Sequence, residues 1–66
     1  MFKFIIEGNK YTSKKDNKEN VVKLFNILLE MYNGKLYEVY FDNNRILSGI
    51  MSPDDINTIL DFCKEV

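Results

Sequence analysis

The 66-residue sequence predicts a two-layer α+β domain: a four-stranded antiparallel sheet with two helices on one face, in the order ββαββα. Three observations carry that expectation. Two segments alternate apolar and other side chains with the period of a half-buried strand, and each is followed by a pair of turn-forming residues. Two further segments repeat apolar residues at helical spacing. Capping residues stand in front of both.

Phe2, Phe4 and Ile6 fall on one side of the first strand, with Lys3, Ile5 and Glu7 on the other. Gly8-Asn9 follows at once. A Gly-X pair supplies the positive φ of a type II′ turn, so Lys10 to Ser13 is expected to return as the second strand, with Glu7 beside Lys10, Ile6 beside Tyr11 and Phe4 beside Ser13. Were residues 10 to 13 a loop, the order would be βαββα on three strands.

The first helix is expected from Lys18 to Tyr32, opened by Asn17 or Asp16 as N-cap and closed by Gly34, which accepts the left-handed conformation. Tyr37 to Phe41 alternates again, Asn43-Asn44 supplies a turn, and Ile46 to Ile50 returns as the fourth strand. Ser52-Pro53-Asp54-Asp55 then starts a helix with a capping hydroxyl, a proline at the first position and carboxylates where the macrodipole is positive. Its apolar stripe is Ile56, Ile59, Leu60, Cys63 and Val66.

An offset of 35 residues lays Glu7-Gly8-Asn9-Lys10 over Asp42-Asn43-Asn44-Arg45, and Val21, Leu24, Phe25, Leu28 and Met31 over the stripe of the last helix. The agreement is one of pattern, few residues being identical. One domain, residues 1–66, is therefore expected, built of two pseudo-equivalent ββα halves at 2–33 and 36–66.

Apolar residues make up 45% and charged residues 29% of the chain, which excludes the low-hydrophobicity, high-charge signature of disorder. The formal charge of −1 excludes a polycation that holds nucleic acid by bulk electrostatics. Its distribution is uneven. Residues 1–23 hold six lysines against Glu7, Asp16 and Glu19, whereas residues 36–66 hold six acids against Arg45 and Lys64. A single cysteine, Cys63, rules out an internal disulfide framework, and no apolar run approaches the roughly 20 residues of a membrane span. A reducing cytoplasm is the expected location, without a membrane partner.

No catalytic centre, cofactor or metal is expected. The chain has no histidine, the commonest general base and metal ligand. Asp54 and Asp55 are adjacent on a helix, point about 100° apart, and already have a capping role. Asp42-Asn43-Asn44 lacks the later glycine and glutamate of a calcium loop. Cys63 reads as a small core residue, and Gly8, Gly34 and Gly49 are too isolated to cradle a phosphate.

What remains is surface. The helix-covered face is expected to carry Phe2, Phe4, Ile6, Tyr11, Tyr37, Val39, Phe41, Ile46 and Ile50. The opposite face then holds Lys3, Ile5, Thr12 and Lys14, together with Leu36, Glu38, Tyr40, Leu47 and Met51. Half of it is apolar, more than a solvated sheet needs. The first helix shows a similar surplus, leaving only Lys23, Asn26 and Glu30 as a polar stripe. The expected function is a non-enzymatic protein-binding module, a small inhibitor or adaptor of the kind a phage or mobile element encodes. It would bind another protein, or itself as a homodimer, through Leu36, Tyr40, Leu47 and Met51 with Glu38, Asp42 and Arg45 as polar rim. The alternative is a nucleic-acid contact through the basic edge Lys10, Lys14, Lys15 and Lys18 around Tyr11.

Overall fold

Positive φ decides where both hairpins turn. In a computed structural model, which describes residues 1–63, Glu7 and Gly8 have φ of 51° and 83°, and Asp42 and Asn43 have 51° and 70°. Two left-handed residues in succession are what a type I′ turn requires. Each turn therefore begins one residue earlier than Gly8-Asn9 and Asn43-Asn44 suggest. The two turns stand 35 positions apart.

The strands are β1 (Phe2–Ile6), β2 (Asn9–Thr12), β3 (Leu36–Phe41) and β4 (Asn44–Ile50), with α1 (Lys18–Tyr32) and α2 (Asp55–Leu60) following the two hairpins. Their order in the sheet is β2-β1-β3-β4, all antiparallel. The four-stranded expectation holds, and the three-stranded one is set aside. In the first hairpin Phe4 opposes Tyr11, Ile5 opposes Lys10 and Ile6 opposes Asn9. Each expected partner is displaced by two positions, so every side chain keeps its face.

Phe2, Phe4, Ile6, Tyr37 and Val39 are buried on one side of the sheet with Val21, Phe25 and Leu28 of α1 and Ile59 of α2. Both helices thus cover the same face. Each fully buried side chain of this kind contributes about 1.5–3 kcal/mol of transfer free energy. Phe41 closes the core at one end, its ring 4.8 Å from that of Phe2.

α1 starts and stops where its sequence signals stand. The Asn17 side chain accepts the Asn20 N–H at 2.9 Å, and Gly34 takes φ of 85° beyond the last turn. The tail of α1 is fastened to the edge of the sheet by the Tyr11 and Tyr32 hydroxyls, 2.6 Å apart. α2 is shorter than expected. Ser52 N–H and the Tyr37 hydroxyl both donate to the Asp55 carboxylate, at 3.0 and 2.7 Å, a reach-back contact of the capping-box type. The turns before and after α2 close through i to i+3 bonds, such as Cys63 N–H to Leu60 O at 3.0 Å. Val66, the end of the expected stripe, lies outside the described residues.

One correction changes both faces of the sheet. Tyr40 opposes Arg45, but Val39 opposes Leu47, so Ile46 is an extra residue in β4. Such a bulge reverses which way every later side chain points. Leu47, expected outside, packs half-buried against the core, and Met51, also expected outside, is 1% exposed within it. Ile50, expected in the core, is 64% exposed instead. Ile46 rests half-buried at the bulge. Main-chain bonds fix the new register, since Met51 N–H donates to Lys35 O at 2.8 Å and Gly34 N–H to Met51 O at 3.1 Å.

Candidate functional site

The uncovered face of the sheet follows from the register. One row runs Thr12, Lys3, Tyr40, Arg45, and the next runs Lys10, Ile5, Glu38, Ser48. Beyond them Leu36 opposes Ile50 at 71% and 64% exposure. Glu38 is the centre of the polar part: Arg45 Nη1 donates to its Oε2 at 3.2 Å and the Tyr40 hydroxyl to its Oε1 at 3.4 Å. An ion pair this exposed contributes about 1 kcal/mol at most, so a docking partner can rearrange it.

Of the seven residues expected to bind a partner, Glu38, Tyr40 and Arg45 are in contact and Leu36 lies on the same face. Asp42 is engaged elsewhere. It accepts the Met1 ammonium at 2.7 Å, and Asp16 accepts the same group at 3.0 Å. The hydrogen bond to Asp42 and then that to Asp16 hold the ammonium above its ordinary pKa. Leu47 and Met51 leave the site because of the bulge. Ile50 enters it, and the sequence reading missed it: Ile46-Ser48-Ile50 and Leu47-Gly49-Met51 are both apolar enough to face a core.

The expected basic edge is divided. Lys14 and Lys15 line a groove of about 630 Å³, with Thr12 and Ser13 on their side and α1 opposite. Lys10 opposes Ile5 in the uncovered face, and Lys18 is not part of the groove lining. α1 contributes Asn20, Lys23, Leu24 and Ile27, a stripe at i, i+3, i+4 and i+7. Lys23 was the missed member, and that spacing was its signal. No carboxylate lines the groove. Tyr11, the aromatic expected to stand among the lysines, bonds Tyr32 instead; that bond, with burial, raises its pKa.

Two of the candidate chemical groups are occupied in the scaffold and the third faces solvent. Asp55 holds the start of α2, Asp54 is exposed, and the Cys63 thiol is buried with its Sγ 3.8 Å from Ile59 O. Among the described residues no group of three or more His, Cys, Asp or Glu is placed to hold a metal ion, and no helix is long and apolar enough to cross a membrane. No family model, curated protein or solved structure matches this chain.

Proposed function

We propose that this chain is a protein-binding module without chemistry of its own, an adaptor or inhibitor that docks its partner on the uncovered face of the sheet in a reducing cytoplasm. The observation that carries the reading is the cross-strand pair Leu36 and Ile50, 71% and 64% exposed on the side that neither helix covers. Half-buried Ile5 and Tyr40 extend that apolar surface. Contiguous surface of this kind marks contact sites.

Charge selects the partner. Among the paired strand residues, Lys3, Lys10 and Arg45 share the face with one carboxylate, Glu38, although the whole chain is slightly acidic. Two copies packed face to face would oppose like charges, which disfavours a homodimer. The matching surface is an apolar protrusion flanked by carboxylates on a different protein. The nucleic-acid alternative has less support, because Lys14 and Lys15 line the groove while Lys10 lies on the uncovered face and Lys18 outside the lining, and Tyr11 faces the core.

The test is a partner isolated from source cells and then measured with purified components. Leu36→Thr with Ile50→Thr is expected to weaken the complex by roughly thirtyfold or more, a loss of about 2 kcal/mol. Thermal unfolding should be unchanged, and Ile27→Asp, on α1, should bind like the parent. A complex indifferent to the double substitution, or light scattering that finds a stable dimer occupying this face, would overturn the proposal.

A further inference from the structure

Independently of the sheet face, the groove beside α1 combines features that suit an anion on an apolar body. Lys14, Lys15 and Lys23 line it, and none forms an ion pair among the described residues. The carboxylate that follows Lys15 in the chain, Asp16, is drawn off by the Met1 ammonium at 3.0 Å. Glu19 stands in the first turn of α1 but is not part of the lining, so the three lysines meet in the groove without a carboxylate. The groove also meets the first turn of α1, a 15-residue helix whose macrodipole is positive at that end.

The opposite wall is different in kind. Leu24 is half-buried and Ile27 is 56% exposed, one turn apart. An inorganic ion would leave that wall bare to water. A groove of about 630 Å³ falls within the usual range of small-molecule sites, and Lys10 and Lys18 do not continue it as a track for a strand.

We propose that this groove binds a phosphorylated small molecule whose body is a flat or apolar ring system, the phosphate on Lys14, Lys15 and Lys23 and the ring against Leu24 and Ile27. A phosphate monoester carries about −1.5 to −2 charges at neutral pH and three strong acceptors, which three lysines can meet.

The experiment is an NMR titration of the isotope-labelled chain at low salt with phenyl phosphate, adenosine monophosphate, inorganic phosphate and a short oligothymidylate. Saturable shifts are expected for the Lys14, Lys15, Asn20 and Lys23 amides and the Leu24 and Ile27 methyls with at least one of the two ring-bearing esters. Inorganic phosphate should bind more weakly, and Leu36 and Ile50 should stay unmoved. Lys15→Ala and Lys23→Ala should each weaken binding by roughly fivefold, with Lys35→Ala as an unchanged control. No saturable shift with either ester at millimolar concentration would overturn the assignment. So would equal affinity for inorganic phosphate, or oligonucleotide binding that neither ester displaces.

Discussion

Tyr37 sits on the helix-facing side of β3, 3% exposed, and its hydroxyl donates to the Asp55 carboxylate at 2.7 Å. The bond joins the sheet to the first turn of α2, so its loss should be felt in the stability of the whole chain. Tyr37→Phe keeps the ring in the core and leaves Asp55 to the Ser52 N–H. The expected cost is about 1.5 kcal/mol, a fall of roughly 10 °C in Tm for a chain of this size. Burial, and then the bond to Asp55, push the Tyr37 pKa far above its ordinary value. A pKa raised by folding contributes stability that is complete below the unfolded value, about 10, and is lost as pH rises beyond it. Denaturant titrations should therefore show the parent's advantage over Tyr37→Phe shrinking above pH 10. An advantage that stays constant there would place the energy elsewhere. Nothing in sequence pairs Tyr37 with Asp55; only the end of Ser52-Pro53-Asp54-Asp55 was legible, as a helix start.

The elements themselves were largely written in the sequence, and β4 shows why one was not. Asn17 and Gly34 announce helix ends by chemistry that acts within a few residues, and the structure uses both. Ser52 marks the start of α2 differently from the expected capping hydroxyl: its N–H and hydroxyl both donate to the Asp55 carboxylate. The turns came out one residue early because Glu7 and Asp42 both take positive φ, which their residue types do not advertise as glycine does. Alternation in Ile46-Leu47-Ser48-Gly49-Ile50-Met51 supports either face, so the choice passes to tertiary contacts, above all the bonds of Met51 with Gly34 and Lys35. Adjacent residues should then differ sharply. Met51→Ala is expected to cost about 2–4 kcal/mol, and Ile50→Ala less than about 0.5 kcal/mol, by urea denaturation. The reverse ranking would mean that β4 runs without its bulge.

Across the whole molecule, β1 and β3 form the middle of the sheet, and the buried cluster draws on both hairpins and both helices. Neither ββα half has a core of its own, and pieces of this length rarely fold unaided. Peptides 1–33 and 36–66 should each be unfolded by circular dichroism and regain structure on mixing. A dispersed NMR spectrum from one half in isolation would show instead that the halves are independent units. We favour reading them as pseudo-equivalent, because their hairpin turns fall at the offset that aligns their sequences. Fold class and element order were legible because strand and helix periods repeat locally. The groove was legible only in part, since its members come from the β2–α1 loop and from α1, and which lysines meet depends on how the chain crosses the edge of the sheet.

Ile46 gives β4 a residue of slack. In-frame loss of any one codon from 45 to 48 would draw the strand onto the same regular ladder, with Gly49, Ile50 and Met51 still aimed as before. A second such loss would have no surplus to consume and would turn the end of the strand inside out. This stretch is thus a length buffer, where the loss of one residue keeps the downstream strand in register.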